Sequence, residues 1–534
     1  MDKKKYIELT GNPVSLKLET VPVLEYSLFS CLIDHLMKEE GIHCLAYFVF
    51  PDNKMYRFIC CMGRDSTHTV LLFSHEMAQG EDIVLDSITA NHFQFHVFER
   101  EIHENYGIKF NDHPWLKPVR YPFDRFNRME RMKDYPFFSI DGGELHEVGV
   151  GPVHAGVIEP GHFRFICHGE NVIHLEIQLG YQHRGIEKLF IEKSGILQQT
   201  ILAESIAGDT AIGHAIAYSS LIETLAALRV SPPLAMERTI ALELERIAFH
   251  IGDTAAICAD IAYQFGQVVN EALRTVVINT TQSWCGNRFG KGLTRPGGTR
   301  YPLTPEIIAL IRKNLKDVEE SYLPITERIF SLSSVLSRFE GIGKVTSLQA
   351  SMIGAVGMAA RSSNLQRDIR WSHPFAAFQE KSYKPVVLSA GDVWSRVMLR
   401  KMEVVKSLTI IRELLEDFPI EGFHKSNGNN SIPHPGKRQN GRSGNPGGSE
   451  RNDQPVYNLT LEPASLSISM VEGWRGEICH VAVTDENGKI VHYKIKDPSF
   501  HNWMALALAV RNQEISDFPL CNKSFNLSYC GNDL

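Results

Sequence analysis

The segment Ile206-Ala207-Gly208-Asp209-Thr210-Ala211-Ile212-Gly213-His214 places a carboxylate, a hydroxyl and an imidazole in a stretch otherwise made of small and aliphatic residues. Asp209 and His214 are five residues apart, about 140° around a helix, so they meet only if a turn intervenes. Glu159 and His162 lie upstream in GPVHAGVIEPGHFRF, Gly151 to Phe165, and His183 and Glu187 in LGYQHRGIEKLF, Leu179 to Phe190. Arg475 lies far downstream in EGWRGE. Carboxylates and imidazoles buried together perturb one another's pKa values, which suits a pocket that relays protons. The plainer alternative is a metal-free core in which these groups satisfy each other, because charges in an apolar interior demand partners whatever their task.

Ten cysteines are scattered along the chain with no Cys-x-x-Cys pair. That pattern is neither a disulfide framework nor a zinc or iron–sulfur site, and it fits reduced, buried, small apolar residues. The formal charge of −7, from 55 basic and 62 acidic residues mixed along the sequence, gives no reason to expect a nucleic acid partner. MDKKKYIELTGNPV has basic residues without an apolar stretch after them, so no secretory signal is expected. Nor does any run reach the roughly 18 to 20 apolar residues that span a bilayer. A cytosolic protein follows, or one docked on a membrane through other subunits.

These residues need elements to position them, and the patterning predicts an α+β protein. Residues 1–132 read as a small α+β domain, with a helix over Ser27 to Glu39 and strands at Cys44 to Phe50 and Tyr56 to Met62. Residues 133–147 read as a linker, and residues 148–534 as a mainly helical domain with a small β-hairpin region near its end. A central helix is expected over Ile201 to Leu228, closed by Pro232-Pro233 ahead of a helix from Met236 to about Tyr263. Others are expected at Pro305 to Leu336 and from Asp392, as cap, to Glu416. GNRFGKGLTRPGGTR, Gly286 to Arg300, lacks both a Walker spacing and a dinucleotide fingerprint and is read as tight turns. Residues 426–455 are too poor in apolar groups to repay ordering and are read as a disordered insertion. Asp485-Glu486-Asn487-Gly488 should turn a hairpin between Ile478 to Val483 and Ile490 to Ile495.

HVFEREIHENYGIKFNDHPWLKPVRYP, His96 to Pro122, resembles the 30 kDa-type subunit of complex I. That resemblance implies a docking module without its own cofactor, whose Glu99, Arg100, Glu101 and Glu104 are helix-surface and interface groups. The two motifs holding Glu159 to Glu187 resemble the opening of the large subunit shared by nickel–iron hydrogenases and the 49 kDa branch of complex I. The arrangement is closest to hydrogenase-4 or formate-hydrogenlyase large subunits. In hydrogenase relatives two Cys-x-x-Cys pairs grip nickel. Anchored on His214, the first pair falls on Ala207 and Thr210; the simplest register sets the second on Ser528 and Gly531, with Cys530 between them. The histidine and tyrosine that contact quinone in complex I fall on Pro160 and Gly208.

The resemblance therefore implies a large subunit that binds no cofactor or metal of its own. Asp209, Thr210, His214, Glu187, Glu159, His162, His183 and Arg475 remain as a vestigial pocket. In the relatives an arginine at the place of Arg475 overhangs the metal centre; here it could equally hold a buried carboxylate. The implied partners are an iron–sulfur small subunit that holds the clusters, membrane-embedded antiporter-like and anchor subunits, and a possible quinone, on the cytoplasmic face of the cytoplasmic membrane. The implied role is coupling of a redox or protonation change to ion translocation. A quinone-reducing NADH dehydrogenase-type subunit and a structural scaffold are the alternatives.

Overall fold

The computed structural model describes residues 5–156, 158–419 and 453–534. The expected insertion at 426–455 therefore lies, apart from its last three residues, outside the described residues. The protein is α+β, with a sheet domain first, helices in the middle and strands near the end.

Ile7–Thr10 (β1), Val14–Lys17 (β2), Tyr26–Leu36 (α1), Ile42–Asp52 (β3), Met55–Arg64 (β4) and Thr69–Ala78 (β5) open the chain. An antiparallel sheet runs in the order β1-β5-β4-β3. Strands β3, β4 and β5 read as nearly continuous apolar runs because both faces are covered, while the edge strand β1 alternates half-buried and exposed residues. Tyr47, Phe58, Cys60, Met62, Leu71 and Phe73 pack on α1 and on His96–Tyr106 (α2). The alternate residues Phe48, Ile59, Cys61, Val70 and Leu72 pack into the core of the large helical part. The two parts of the chain thus share one core. β2, inside the span expected for the first domain, does not join this sheet. It forms the edge of the sheet β13-β12-β11-β2, whose other strands are Ser465–Glu472 (β11), Glu477–Thr484 (β12) and Ile490–Lys496 (β13).

The acidic helix α2 is not a solvated face. Glu99 accepts from Ser87 Oγ and from the N–H groups of Ile88 and Thr89, and Glu104 accepts from the N–H groups of Val119, Arg120 and Tyr121. Glu101 pairs with Arg120 and, at 2.7 Å, with Lys494 of β13, so it does hold an interface, but a buried one inside the chain. Arg100 is buried as well and donates to the carbonyls of Lys117 and Pro118. Carboxylates are tolerated here because the loops that cover them bring N–H groups to their oxygens.

Val84–Asp86 (β6) and Lys109–Asn111 (β7) form a short parallel pair, and Leu145–Val150 (β8), His162–His168 (β9) and Asn171–Gln178 (β10) form a three-stranded sheet. β8 starts inside the expected linker. Then come Ile186–Glu192 (α3), Ile196–Ala203 (α4), Ala211–Leu225 (α5), Pro232–Asp260 (α6), Gln264–Cys285 (α7) and Pro305–Ile329 (α8). The single central helix expected over 201–228 is two, α4 and α5, with a turn at 204–210 that carries Asp209. Pro232 and Pro233 do not stand ahead of α6; they form its first turn, with Ser231 Oγ accepting from Leu234 N–H as the cap. The helix Val393–Glu416 is capped by Asp392, and the hairpin turns at Asp485, as expected. In the Gly286 to Arg300 segment, Gly292 N–H and Arg295 go to Glu204 and Gly297 N–H goes to Glu223, which is turn chemistry and leaves the loop closed on the chain's own carboxylates.

Candidate functional site

The turn before α5 and the turn between β11 and β12 face each other. Gly473 and Gly476 exchange backbone hydrogen bonds of 2.8 and 3.1 Å, so Trp474 and Arg475 stand at the tip. Arg246 of α6 fixes this tip by donating to the carbonyls of Glu472 at 2.6 Å and Gly473 at 3.0 Å. Trp474 stacks on Phe249, with centroids 5.2 Å apart, and its indole N–H donates to the Asp209 carbonyl at 2.9 Å. Glu245 of α6 accepts from Ile212 and Gly213 at 2.8 and 3.2 Å, so a side chain from another helix satisfies the open N–H groups at the start of α5. Burial pushes the Glu245 carboxyl up to about 8 even so.

Arg475 takes the second of the two roles open to it in the sequence. Its Nη1 and Nη2 grip Asp209 bidentately at 2.7 and 2.6 Å, and Nη1 also donates to Thr210 Oγ1 at 3.2 Å. Beside them, burial raises the Glu159 carboxyl, with Asp209 adding to the rise while a hydrogen bond with Cys530 works against it. Burial and the nearby Glu159 push the Cys530 thiol up to about 11. A thiol held protonated is not the soft anionic ligand that a metal takes, and the carboxyl with a raised pKa is the group here suited to carrying a proton.

The structure thus brings Asp209, Thr210, Arg475 and Glu159 together, with Cys530 as a fifth member. His214 is one step removed: on α5, its Nε2 lies 3.2 Å from Asp497 Oδ2 and its Nδ1 3.0 Å from His480 Nε2. His183, Glu187 and His162 fall elsewhere. His183 and Glu187 line a cavity of about 930 Å³ between α3, β13 and the 105–125 segment. There Glu187 accepts from Ile495 N–H and pairs with Lys494 at 3.1 Å, while His183 Nδ1 bonds the Asp533 carbonyl at 2.7 Å. His162 sits in β9, its Nδ1 3.1 Å from the Gly151 carbonyl and its ring against Phe137. Closeness of the two upstream motifs along the chain did not translate into one pocket. No sequence pattern marks Asp497, His480 or Glu245, the histidine being hidden in a mostly apolar strand that is buried throughout.

The fit of a nickel–iron centre turns on Ala207, Thr210, Ser528 and Gly531. Ala207 offers a buried methyl, Thr210 Oγ1 is engaged by Asp209 and Arg475, and Ser528 Oγ accepts from Gly531 N–H at 2.9 Å. A Cβ on Gly531 would lie 2.7 Å from the Asp497 carboxylate, so a larger residue cannot enter without displacing it. Two hard hydroxyls in existing hydrogen bonds, a methyl and a hydrogen do not fit four thiolates. Among the described residues no group of three or more His, Cys, Asp and Glu could hold a metal ion.

Comparison with known proteins gives two family matches. The 49 kDa subunit of the respiratory-chain NADH dehydrogenase matches residues 264–533, and the 30 kDa subunit of the same enzyme matches residues 26–137. Among individual relatives, hydrogenase-4 component G of Escherichia coli is 25% identical over 405 residues, 75% of this chain and 63% of that protein. The carbon monoxide-induced hydrogenase of Rhodospirillum rubrum is 26% identical over 385 residues, 71% of this chain and 97% of that protein. The C/D subunit of NADH-quinone oxidoreductase from Phocaeicola vulgatus is 26% identical over 358 residues, 60% of this chain and 67% of that protein. The chain thus spans less than two thirds of the length of hydrogenase-4 component G.

Proposed function

Because the chain belongs to the family of the 49 kDa subunit of the respiratory-chain NADH dehydrogenase, with a 30 kDa-type module fused ahead of it, we propose a specific role within that hydrogenase- and complex-I-related oxidoreductase group. The chain is the large subunit of a membrane-associated complex, carries no nickel–iron centre, and couples a redox or protonation change to ion translocation. The observation that carries this reading is the Arg475–Asp209 ion pair, at 2.6 Å, beside four positions without thiolates. A guanidinium and a carboxylate neutralise each other where the relatives' metal chemistry is expected. The neighbouring Glu159, its carboxyl raised by burial, is left able to gain and lose a proton, while the Cys530 thiol beside it stays protonated.

None of the described helices is long and apolar enough to cross a membrane. An iron–sulfur small subunit, which supplies the clusters, and membrane-embedded antiporter-like and anchor subunits complete the proposed complex at the cytoplasmic face of the membrane. The names of the relatives, a hydrogenase component and part of a quinone oxidoreductase, support an electron-transferring assembly.

Metal analysis and electron paramagnetic resonance of the intact complex test the first half. Iron–sulfur signals without stoichiometric nickel are expected, and one nickel per large subunit overturns the reading. Asp209→Ala and Glu187→Ala test the second half: assembly should survive while redox-driven ion transport falls. Transport and assembly both unchanged would leave a structural scaffold.

A further inference from the structure

Behind the ion pair, His214 belongs to a line of titratable side chains whose other members, Tyr493, His480 and Asp497, no sequence pattern singles out. Asp497 Oδ2 lies 3.2 Å from His214 Nε2, His214 Nδ1 lies 3.0 Å from His480 Nε2, and His480 Nδ1 lies 2.8 Å from the Tyr493 hydroxyl. All four side chains are buried. Tyr493 is also part of the wall of the 930 Å³ cavity that holds His183 and Glu187. At the other end, Asp497 acts electrostatically on Arg475. We propose that Tyr493, His480, His214 and Asp497 form a proton relay leading from that cavity to the His214–Asp497 pair, whose carboxylate acts on Arg475.

Hydrogen-bond logic fixes the direction of every donor. Burial opposes the charge on Asp497, yet the hydrogen bond from His214 and the nearby Arg475 hold its carboxyl below the usual range, so it accepts from His214 Nε2–H. In a neutral His214 the Nδ1 is then a bare acceptor and must receive His480 Nε2–H. Burial pushes His480 well below the usual histidine value, so it is neutral and its Nδ1 accepts the Tyr493 O–H. Three donors in series therefore point their protons the same way, toward Asp497. Imidazole is suited to this because one nitrogen can take a proton while the other gives one up.

The balance of a passage is simple. One proton enters at Tyr493 as its O–H proton moves to His480 Nδ1, and the His480 Nε2 proton moves to His214 Nδ1. The added proton rests on the His214–Asp497 pair as imidazolium and carboxylate. No electron moves, and rotation or tautomer exchange of the two rings resets the line. The charged groups around it come from every neighbouring element: Glu245 from α6, Asp209 from the turn before α5, Arg475 from the β11–β12 tip and Glu187 from α3. Structural purposes alone do not ask for two histidines in series between a tyrosine and a carboxylate. An apolar pair of similar volume fills such a core at lower desolvation cost.

The use of the relay in coupling rests on the reading above, but its existence does not. The test is time-resolved infrared spectroscopy of the intact complex after a downward pH jump, following the imidazolium signal of His214, assigned by its loss in His214→Gln. Tyr493→Phe removes one oxygen and keeps the 4.2 Å stack on Phe190, so the fold is retained. His480→Gln keeps a polar group but cannot hand a proton on. Both should slow arrival of the proton at His214 by on the order of 100-fold, the scale of a lost positioned acid–base group, while leaving its final extent unchanged. A wild-type rate in both variants, or no proton uptake by wild-type His214, overturns the relay. Slow uptake with ion transport unimpaired upholds the relay and removes it from the coupling proposal, so the two fail separately.

Discussion

Two sets of buried charges meet at Glu472 to Arg475 and are built on opposite principles. In the interior, Arg246, Arg361 and Arg370 interleave with Glu243, Asp368, Glu403 and Glu472 through ion pairs of 2.6 to 3.5 Å, with every side chain buried. Each guanidinium there touches at least two carboxylates. At the candidate site a single arginine meets a single aspartate, whose side chain keeps 32% of its exposure, and the next groups along are a thiol and a carboxyl with raised pKa values. Burying charge does not by itself mark chemistry. What distinguishes the site is a single, partly exposed pair, whereas the interior array is cross-braced and holds the Gly473 to Gly476 tip in place, even though burial raises its Glu472 to about 7.

The sharpest way to break this contrast is to remove one brace. Arg361→Met leaves Asp368, Glu403 and Glu472 one cation short and should cost about 3–5 kcal/mol in denaturant unfolding, as breaking a buried pair does. A cost under about 1 kcal/mol would mean that the array is no more tightly compensated than the site.

Glu245→Gln should sharpen the other side of the contrast. The Glu245 carboxyl rises from 4.5 to about 8 on folding, so the folded chain holds the extra proton between those values. The stability it contributes is complete below pH 4.5 and is lost as pH rises toward 8, at up to about 1.4 kcal/mol per pH unit. In the glutamine variant that part of the pH dependence should vanish, with equal stability at the acid end and a gain at the alkaline end. Parallel pH profiles for the two proteins would assign the proton elsewhere.

Arg475→Gln breaks a bidentate pair with one partly exposed partner. After discounting for solvent, about 1–2 kcal/mol is expected, measured as a shift of the unfolding midpoint. The smallest effect belongs to the cavity rim. Lys188 and Asp124 are about half exposed and 2.6 Å apart, so Lys188→Ala should cost less than about 1 kcal/mol; a larger loss would show that the rim braces the cavity.

Legibility in the sequence followed the range of the interaction concerned. The Asp485 hairpin and the Asp392 cap could be read because each is made within a few residues, by a side chain that bonds its own turn. The break between α4 and α5 could not, since the groups that hold the turn and start α5 come from Trp474 and Glu245, distant in the chain. The family resemblance singled out Arg475 and left its partner open between metal and carboxylate; only the fold brought Asp209 to it. His183 and Glu187 share a motif with the expected pocket but not its space. His480 is hidden because a strand buried on both faces loses the alternation that marks a polar intrusion, and Tyr493 because it takes its turn among the apolar positions of β13, between His492 and Lys494.

β2 has a consequence for the order of events as the chain is made. Ser467 Oγ donates to the Val14 carbonyl across 453 positions of sequence, and β2 completes a sheet whose remaining strands lie beyond residue 464. A ribosome must release everything from β2 through β11 before that edge can close. Through all that time the first strands already expose the apolar face that the late sheet and the helices will cover. β2 and its partner strands are thus made far apart in time and finished together, so chaperone binding to the nascent chain should fall off only after the β12–β13 hairpin has emerged.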